Sequence, residues 1–174
     1  MSAGEQRTPE YLQMNPSGKI PVLETDNGEY IAESVAICRY IEALHPEPNL
    51  FGASPVELGQ IEMHNRILEL ELWSQIGTSW VNGPIVAKIA AGRFKQNPQA
   101  KETSDKNTNS FYERLDRELG GRPYMAGSRF TIADITAMSA VDFASELVGL
   151  KPAENLDNLW DWHERVSARP SAKA

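Results

Sequence analysis

A proline-dense stretch, His45-Pro46-Glu47-Pro48-Asn49, divides the chain into two parts that cannot share one continuous element. Each proline removes a backbone donor and pushes the preceding residue out of helical geometry. Ahead of the stretch, turn residues recur at close spacing and leave room only for short elements. Behind it, apolar residues recur with helical period almost to the C-terminus. The expected architecture is α+β: a small mixed segment over 1–45, a linker over 46–54 and an all-helical domain over 55–174.

In the first part, Thr8-Pro9-Glu10 opens a short helix, with Thr8 as cap, Pro9 in the first turn and Glu10 complementing the dipole. Asn15-Pro16 closes it and Ser17-Gly18 turns the chain into a short apolar strand, Ile20-Pro21-Val22-Leu23. Asn27-Gly28 predicts a type I′ hairpin, with Tyr30-Ile31 returning. Glu33-Ser34 starts a second helix whose apolar stripe is Val35, Cys38, Ile41 and Leu44.

In the second part, Ser54-Pro55 opens a long amphipathic helix carrying Leu58, Ile61, Leu68, Leu72 and Ile76. A helical piece from Ile85 to Ala91 stops at Gly92. Asn97-Pro98 precedes a helix with Phe111, Leu115 and Leu119 inward, ended by Gly120-Gly121-Arg122-Pro123. Thr131 and Asp134 have capping-box spacing, flanked by Phe130 and Ile135 as a hydrophobic staple. That helix runs to about Val148. A last one spans Leu156 to Ala168, with Leu159, His163 and Val166 on its inner stripe.

Composition narrows the functional classes. The net charge of −7 argues against nucleic acid or an anionic membrane as a default partner, without excluding a locally basic pocket. One cysteine rules out an internal disulfide framework and a multi-cysteine metal centre, and no apolar N-terminal stretch reads as a secretory signal. The charge-free run Leu72 to Ala87 is broken by Ser74, Gln75, Asn82 and Pro84, so it does not read as a membrane span. A reducing cytoplasm is the expected compartment.

The run Asn15-Pro16-Ser17-Gly18-Lys19-Ile20-Pro21-Val22-Leu23, then Asn27-Gly28 and Ile31-Ala32-Glu33-Ser34-Val35-Ala36-Ile37, resembles the bacterial-type glutathione transferases in order and spacing. Tyr124-Met125-Ala126-Gly127 leading into Phe130-Thr131-Ile132-Ala133-Asp134-Ile135 resembles that family's helical domain, as does Trp162 followed by Arg165-Val166-Ser167-Ala168-Arg169-Pro170. The resemblance implies a thioredoxin-like segment followed by the all-α C-terminal domain. It also implies glutathione as co-substrate, a small electrophile as second substrate, a detoxifying conjugation reaction, no metal, and a homodimer formed through the start of the helical domain.

By that resemblance the Ile20–Pro21 bond is cis, and the Ile20 N–H and C=O pair with the cysteinyl part of glutathione as an added strand does. Ser34 and its N–H hold the γ-glutamyl carboxylate at a helix N-terminus, Glu33 places the α-ammonium, and Lys19 is a candidate for the glycine carboxylate. From the residues alone, Pro21 serves equally as a turn terminator, Ser34 as a plain cap and Lys19 as an exposed turn lysine. Gln6 and Arg7 are weaker candidates for the same end of the ligand.

Members begin with a strand, a helix and a second strand, and the serine, tyrosine or cysteine that hydrogen-bonds the glutathione sulfur follows the first strand. Met1-Ser2-Ala3-Gly4-Glu5 resembles the stretch after the second strand. The resemblance therefore implies an N-terminally incomplete thioredoxin-like segment, with the catalytic residue unknown and expected upstream of Met1. The alternatives are a weakly binding fragment, a non-catalytic binding or assembly module, and a glutathione-dependent disulfide reductase. Thr131 and Asp134 read as folding elements and Cys38 as a core residue. His45, His64 and His163 lack ligand spacing, while Trp73 and Trp80, with Gln75 and Thr78, either line the electrophile site or pack the core.

Overall fold

The computed structural model describes residues 4–90 and 92–173. The expectation for Met1-Ser2-Ala3 lies outside the described residues. The chain divides into two compact units, residues 1–51 and 52–174.

In the first unit, helix α1 (Pro9–Met14) is capped by Thr8, whose Oγ1 accepts from Tyr11 N at 3.3 Å. Strands β1 (Val22–Glu24) and β2 (Tyr30–Ala32) form an antiparallel pair with Leu23 opposite Ile31. Helix α2 (Ser34–Leu44) packs on this hairpin. The hairpin turn differs from the expected type I′, because only Gly28 takes a positive φ, of 78°. Gly28 N donates to Thr25 O at 2.9 Å, and Thr25 N donates to Glu29 O at 2.9 Å. The turn therefore lies over Thr25–Gly28 with a bulge at the glycine, a three-residue connection in which Asn27 need not enter the left-handed region.

The α2 stripe is also corrected. Ile37 is its one buried residue; Val35 and Cys38 are half-buried, and Ile41 and Leu44 are exposed. Two short strands cover only about one turn of helix, so the helix period outruns the surface available to bury it. Cys38 is accordingly a half-buried free thiol rather than a core residue. The residues read as a linker fold back on α2. Glu42 accepts from the N–H groups of Leu50 and Phe51 and from Asn49 Nδ2, and Arg39 stacks on the Phe51 ring at 4.6 Å.

The second unit is entirely helical among the described residues. Helix α3 (Pro55–Ile67) runs through a π-helical segment (Leu68–Trp73) into α4 (Ser74–Val81). Its inward positions are Ile61, Asn65, Leu68, Leu72, Ile76 and Ser79, recurring at three- and four-residue intervals; Leu58 is exposed instead. Then follow α5 (Pro84–Ala90), α6 (Pro98–Leu119), α7 (Ile132–Phe143) and α8 (Asp157–Ser167). Asn97 caps α6 by accepting from Ala100 N at 3.0 Å.

Helix α7 is the centre of this unit. Ala133, Ala137, Ala140 and Ala144 are each fully buried, and their small side chains allow close approach by α3, the π-helical segment and α8. The helix continues as a π turn (Ala144–Val148) that Gly149 ends in left-handed geometry, φ 81°. The Asp134 carboxylate accepts from Thr131 N, Met125 N and Trp162 Nε1, each at 2.9 Å, so the capping box also ties α7 to α8. Burial pushes the Asp134 carboxyl above its ordinary value, against those hydrogen bonds. On α8 the inward aromatic is Trp162, fully buried, rather than His163, which sits half-buried with Nε2 2.6 Å from Asp142 Oδ1.

Candidate functional site

The sequence-derived site residues all fall in the first unit, on the loop after α1 and at the start of α2. Asn15 organises the loop. It is 5% exposed; its Nδ2 donates to Lys19 O at 2.7 Å, while its Oδ1 accepts from Ser17 N at 3.2 Å and Ser17 Oγ at 2.9 Å. Tyr11 Oη also donates to Lys19 O at 2.7 Å. Gly18 is buried at φ 60°, with Arg7 Nη1 2.6 Å from where a Cβ would stand, and Arg7 donates to Ser17 O at 3.4 Å. Arg7 thus braces the loop. The sequence reading took Asn15 only as a helix end; its polarity beside a proline carried no sign of burial.

This bracing presents Lys19, Ile20 and Pro21 outward, all three exposed. The Ile20–Pro21 peptide is cis. The Lys19 carbonyl is doubly occupied, whereas the N–H and C=O of Ile20 take no hydrogen-bond partner among the described residues. Ladder pairing begins only at Val22. A free donor and acceptor on one exposed residue next to a strand can pair with an extended peptide backbone.

At the other side of the hairpin, Glu33 precedes α2 with φ 69° and ψ 119°, the sole positive φ outside glycine among the described residues. Such geometry costs about 1–3 kcal/mol and persists where the surroundings impose it. No side chain caps the helix. The first hydrogen bond joins Ile37 N to Glu33 O at 3.0 Å, so the N–H groups of Ser34, Val35 and Ala36 have no partner among the described residues. Ser34 is the first helical residue, not the cap, and both Ser34 and Glu33 are exposed. Exposed unpaired N–H groups and the positive end of a helix favour a carboxylate, and an adjacent glutamate favours an ammonium.

In the second unit, Trp73 and Trp80 meet on Phe143, at ring distances of 5.5 and 5.3 Å, and Trp73 Nε1 donates to Thr136 O at 3.2 Å. Gln75 accepts from Asn107 Nδ2 at 3.1 Å, and Thr78 Oγ1 donates to Ser74 O at 2.9 Å. All four side chains find partners within their own helical unit. A separate cavity of about 110 Å³ is lined by His64, Phe111, Arg114, Glu118, Arg122 and Met125 among others. There His64 Nε2 lies 3.1 Å from Arg122 Nη1, and burial, then the guanidinium, lowers the imidazole pKa below its ordinary value.

Comparison with known proteins agrees with both units. The family model for the glutathione S-transferase N-terminal domain matches residues 1–44, and that for the C-terminal domain matches residues 78–170. Glutathione S-transferase 2 of Saccharomyces cerevisiae is 36% identical over 170 residues, covering 98% of this chain and 72% of the yeast protein. The crystal structure of Gtt2 from the same organism superposes with a TM-score of 0.87 at 36% identity, covering 98% of this chain and 81% of that one. A probable elongation factor 1-gamma of Arabidopsis thaliana is 35% identical over 129 residues, covering 74% of this chain but 29% of the plant protein. The chain belongs to the glutathione S-transferase family. Its fold is that family's: a thioredoxin-like N-terminal part followed by an all-helical C-terminal domain.

Proposed function

We propose that this protein binds glutathione on the first unit and conjugates its thiolate to a small electrophile. The observation that carries the reading is the pairing of two unsatisfied backbone features: the free N–H and C=O of Ile20, and the uncapped N-terminus of α2. Glutathione is an extended tripeptide with a carboxylate at each end and one ammonium. Ile20 takes its cysteinyl backbone; Ser34 and the free N–H groups take the γ-glutamyl carboxylate. Glu33 takes the ammonium, and the exposed Lys19 takes the glycine carboxylate. In the reaction the thiol loses its proton, sulfur forms a bond to the electrophilic carbon, and the leaving group departs with the electron pair. A free thiol titrates near pH 8.5, so a donor aimed at sulfur is required. None of the residues assigned here supplies it.

Such a reaction fits detoxification in the cytoplasm by a homodimer. The direct test is retention on immobilised glutathione with elution by free glutathione. Ser34→Ala is expected to weaken retention about tenfold, matching the loss of one hydrogen bond to a charged group. Absence of retention, or retention indifferent to Ser34→Ala, refutes the site.

The similarity to elongation factor 1-gamma supports a second reading, a binding or assembly module on the same scaffold. A conjugation assay with a generic aryl halide separates the two, because a module retains glutathione without turnover. A glutathione-dependent disulfide reductase shares the binding groups and is separated by reduction of a mixed disulfide.

A further inference from the structure

Between Glu71 and Glu102 the chain has no acidic residue, yet it carries Lys88, Arg93, Lys95 and Lys101, against a whole-chain net charge of −7. Lys101 is spent internally: its Nζ lies 2.7 Å from Asp105 Oδ2 and 3.2 Å from Ser79 Oγ. The other three are exposed, and their side chains make no hydrogen bond or ion pair among the described residues. By contrast Arg66, Lys106, Arg114, Arg122 and Arg129 each face a carboxylate.

These unpaired cations are interleaved with exposed apolar groups. On α5, Ile85 and Ile89 stand one turn apart with Lys88 beside them, and Ile89 is 68% exposed. Ala90 points the other way and is buried. Val81 at the end of α4 is exposed, as is Phe94 between Arg93 and Lys95. None of these side chains lines the cavities at His64, at Leu70 or at Leu119; Ile89 projects furthest, and Val81, Ile85 and Phe94 are each 41–44% exposed.

We propose that this face docks reversibly on an anionic phospholipid surface. Ile85, Ile89 and Phe94 enter the boundary between headgroups and acyl chains, and Lys88, Arg93 and Lys95 neutralise lipid phosphates. The occupant must supply negative charge and a yielding apolar layer together. Nucleic acid offers charge without an apolar layer for isoleucine, and a folded protein receives projecting side chains in a shaped recess. A lipid surface closes around projections of any outline. The overall acidity does not oppose this, because at physiological salt charges more than about 8 Å away are largely screened. The seven-residue α5 carries one of the three cations, Lys88, and Arg93 and Lys95 follow in the loop after it, so the attachment is weak and salt-sensitive.

The test is co-sedimentation of the full chain with vesicles of phosphatidylcholine alone and of phosphatidylcholine with phosphatidylserine in equal parts. Binding is expected only to the second, falling as salt rises. Each cation replaced by glutamine is expected to lower the partition coefficient about fivefold, and K88Q/R93Q/K95Q about a hundredfold. Ile89→Ser should weaken binding while keeping its salt dependence. Circular dichroism and sedimentation velocity of each variant control for fold and self-association. No vesicle binding, equal binding to both vesicles, or binding unaltered by both variants overturns the proposal. So does binding of an acidic polyglutamate peptide without vesicles, or a dimer that dissociates in K88Q/R93Q/K95Q, which would assign the face to a protein partner.

Discussion

Glu33 holds φ 69° and ψ 119° at the mouth of α2, a geometry that only glycine adopts without cost. Glu33→Gly is therefore expected to raise stability by about 1 kcal/mol, relief of strain exceeding the added chain entropy. The same change should weaken glutathione retention about tenfold by removing the carboxylate that meets the ammonium. Thermal unfolding read beside affinity retention checks the split; a lowered melting temperature with intact retention counts against it. His64 is the second residue with a clear consequence. Burial and Arg122 lower its pKa from 6.5, so the unfolded chain binds the proton more readily than the folded one. Stability is accordingly retained above pH 6.5 and declines as pH falls from there towards the folded-state value. In His64→Gln that part of the decline should disappear, which melting curves at neutral and mildly acidic pH will register.

At the scale of elements, α7 depends on one carboxylate. Asp134 satisfies Thr131 N, Met125 N and Trp162 Nε1, three buried donors from three parts of the helical unit. Asp134→Ala leaves all of them unpaired, at a cost of about 3 kcal/mol or more; Asp134→Asn, which keeps an acceptor, should cost less. Urea unfolding distinguishes the pair. The Thr131 and Asp134 spacing was legible in the sequence because capping chemistry is local. That Trp162 rather than His163 would face inward was not, since those neighbours on one helix differ by a rotation that only the packing of α8 on α7 resolves. The hairpin teaches the same: Asn27-Gly28 announced a turn, but the tight residue was decided by the ladder that pairs Leu23 with Ile31.

For the whole molecule, the exposed apolar residues of the long helix matter most. Val56, Met63 and Leu70 recur at seven-residue intervals and are 69%, 49% and 59% exposed. Residues seven apart share one helix face, and an apolar stripe of that kind is suited to burial against a second copy. The proposed homodimer is expected to use it. Sedimentation equilibrium should report a dimer for the native chain and a monomer for Met63→Lys; a native monomer would contradict this arrangement.

The helix starts at Thr8, Ser54, Asn97 and Thr131 and the family were legible in the chain alone, because each rests on local chemistry or on motif order. Tertiary structure alone decided which polar groups were already spent. Asn15, legible only as a helix end, became the brace beneath Ile20; Arg7 went to the Ser17 carbonyl; Glu42 gathered the supposed linker onto α2. Ser34, legible as a cap, proved to leave its helix uncapped. A side chain's availability to a ligand depends on every other donor and acceptor that can reach it. That tally closes only in three dimensions, through contacts between residues far apart in the chain.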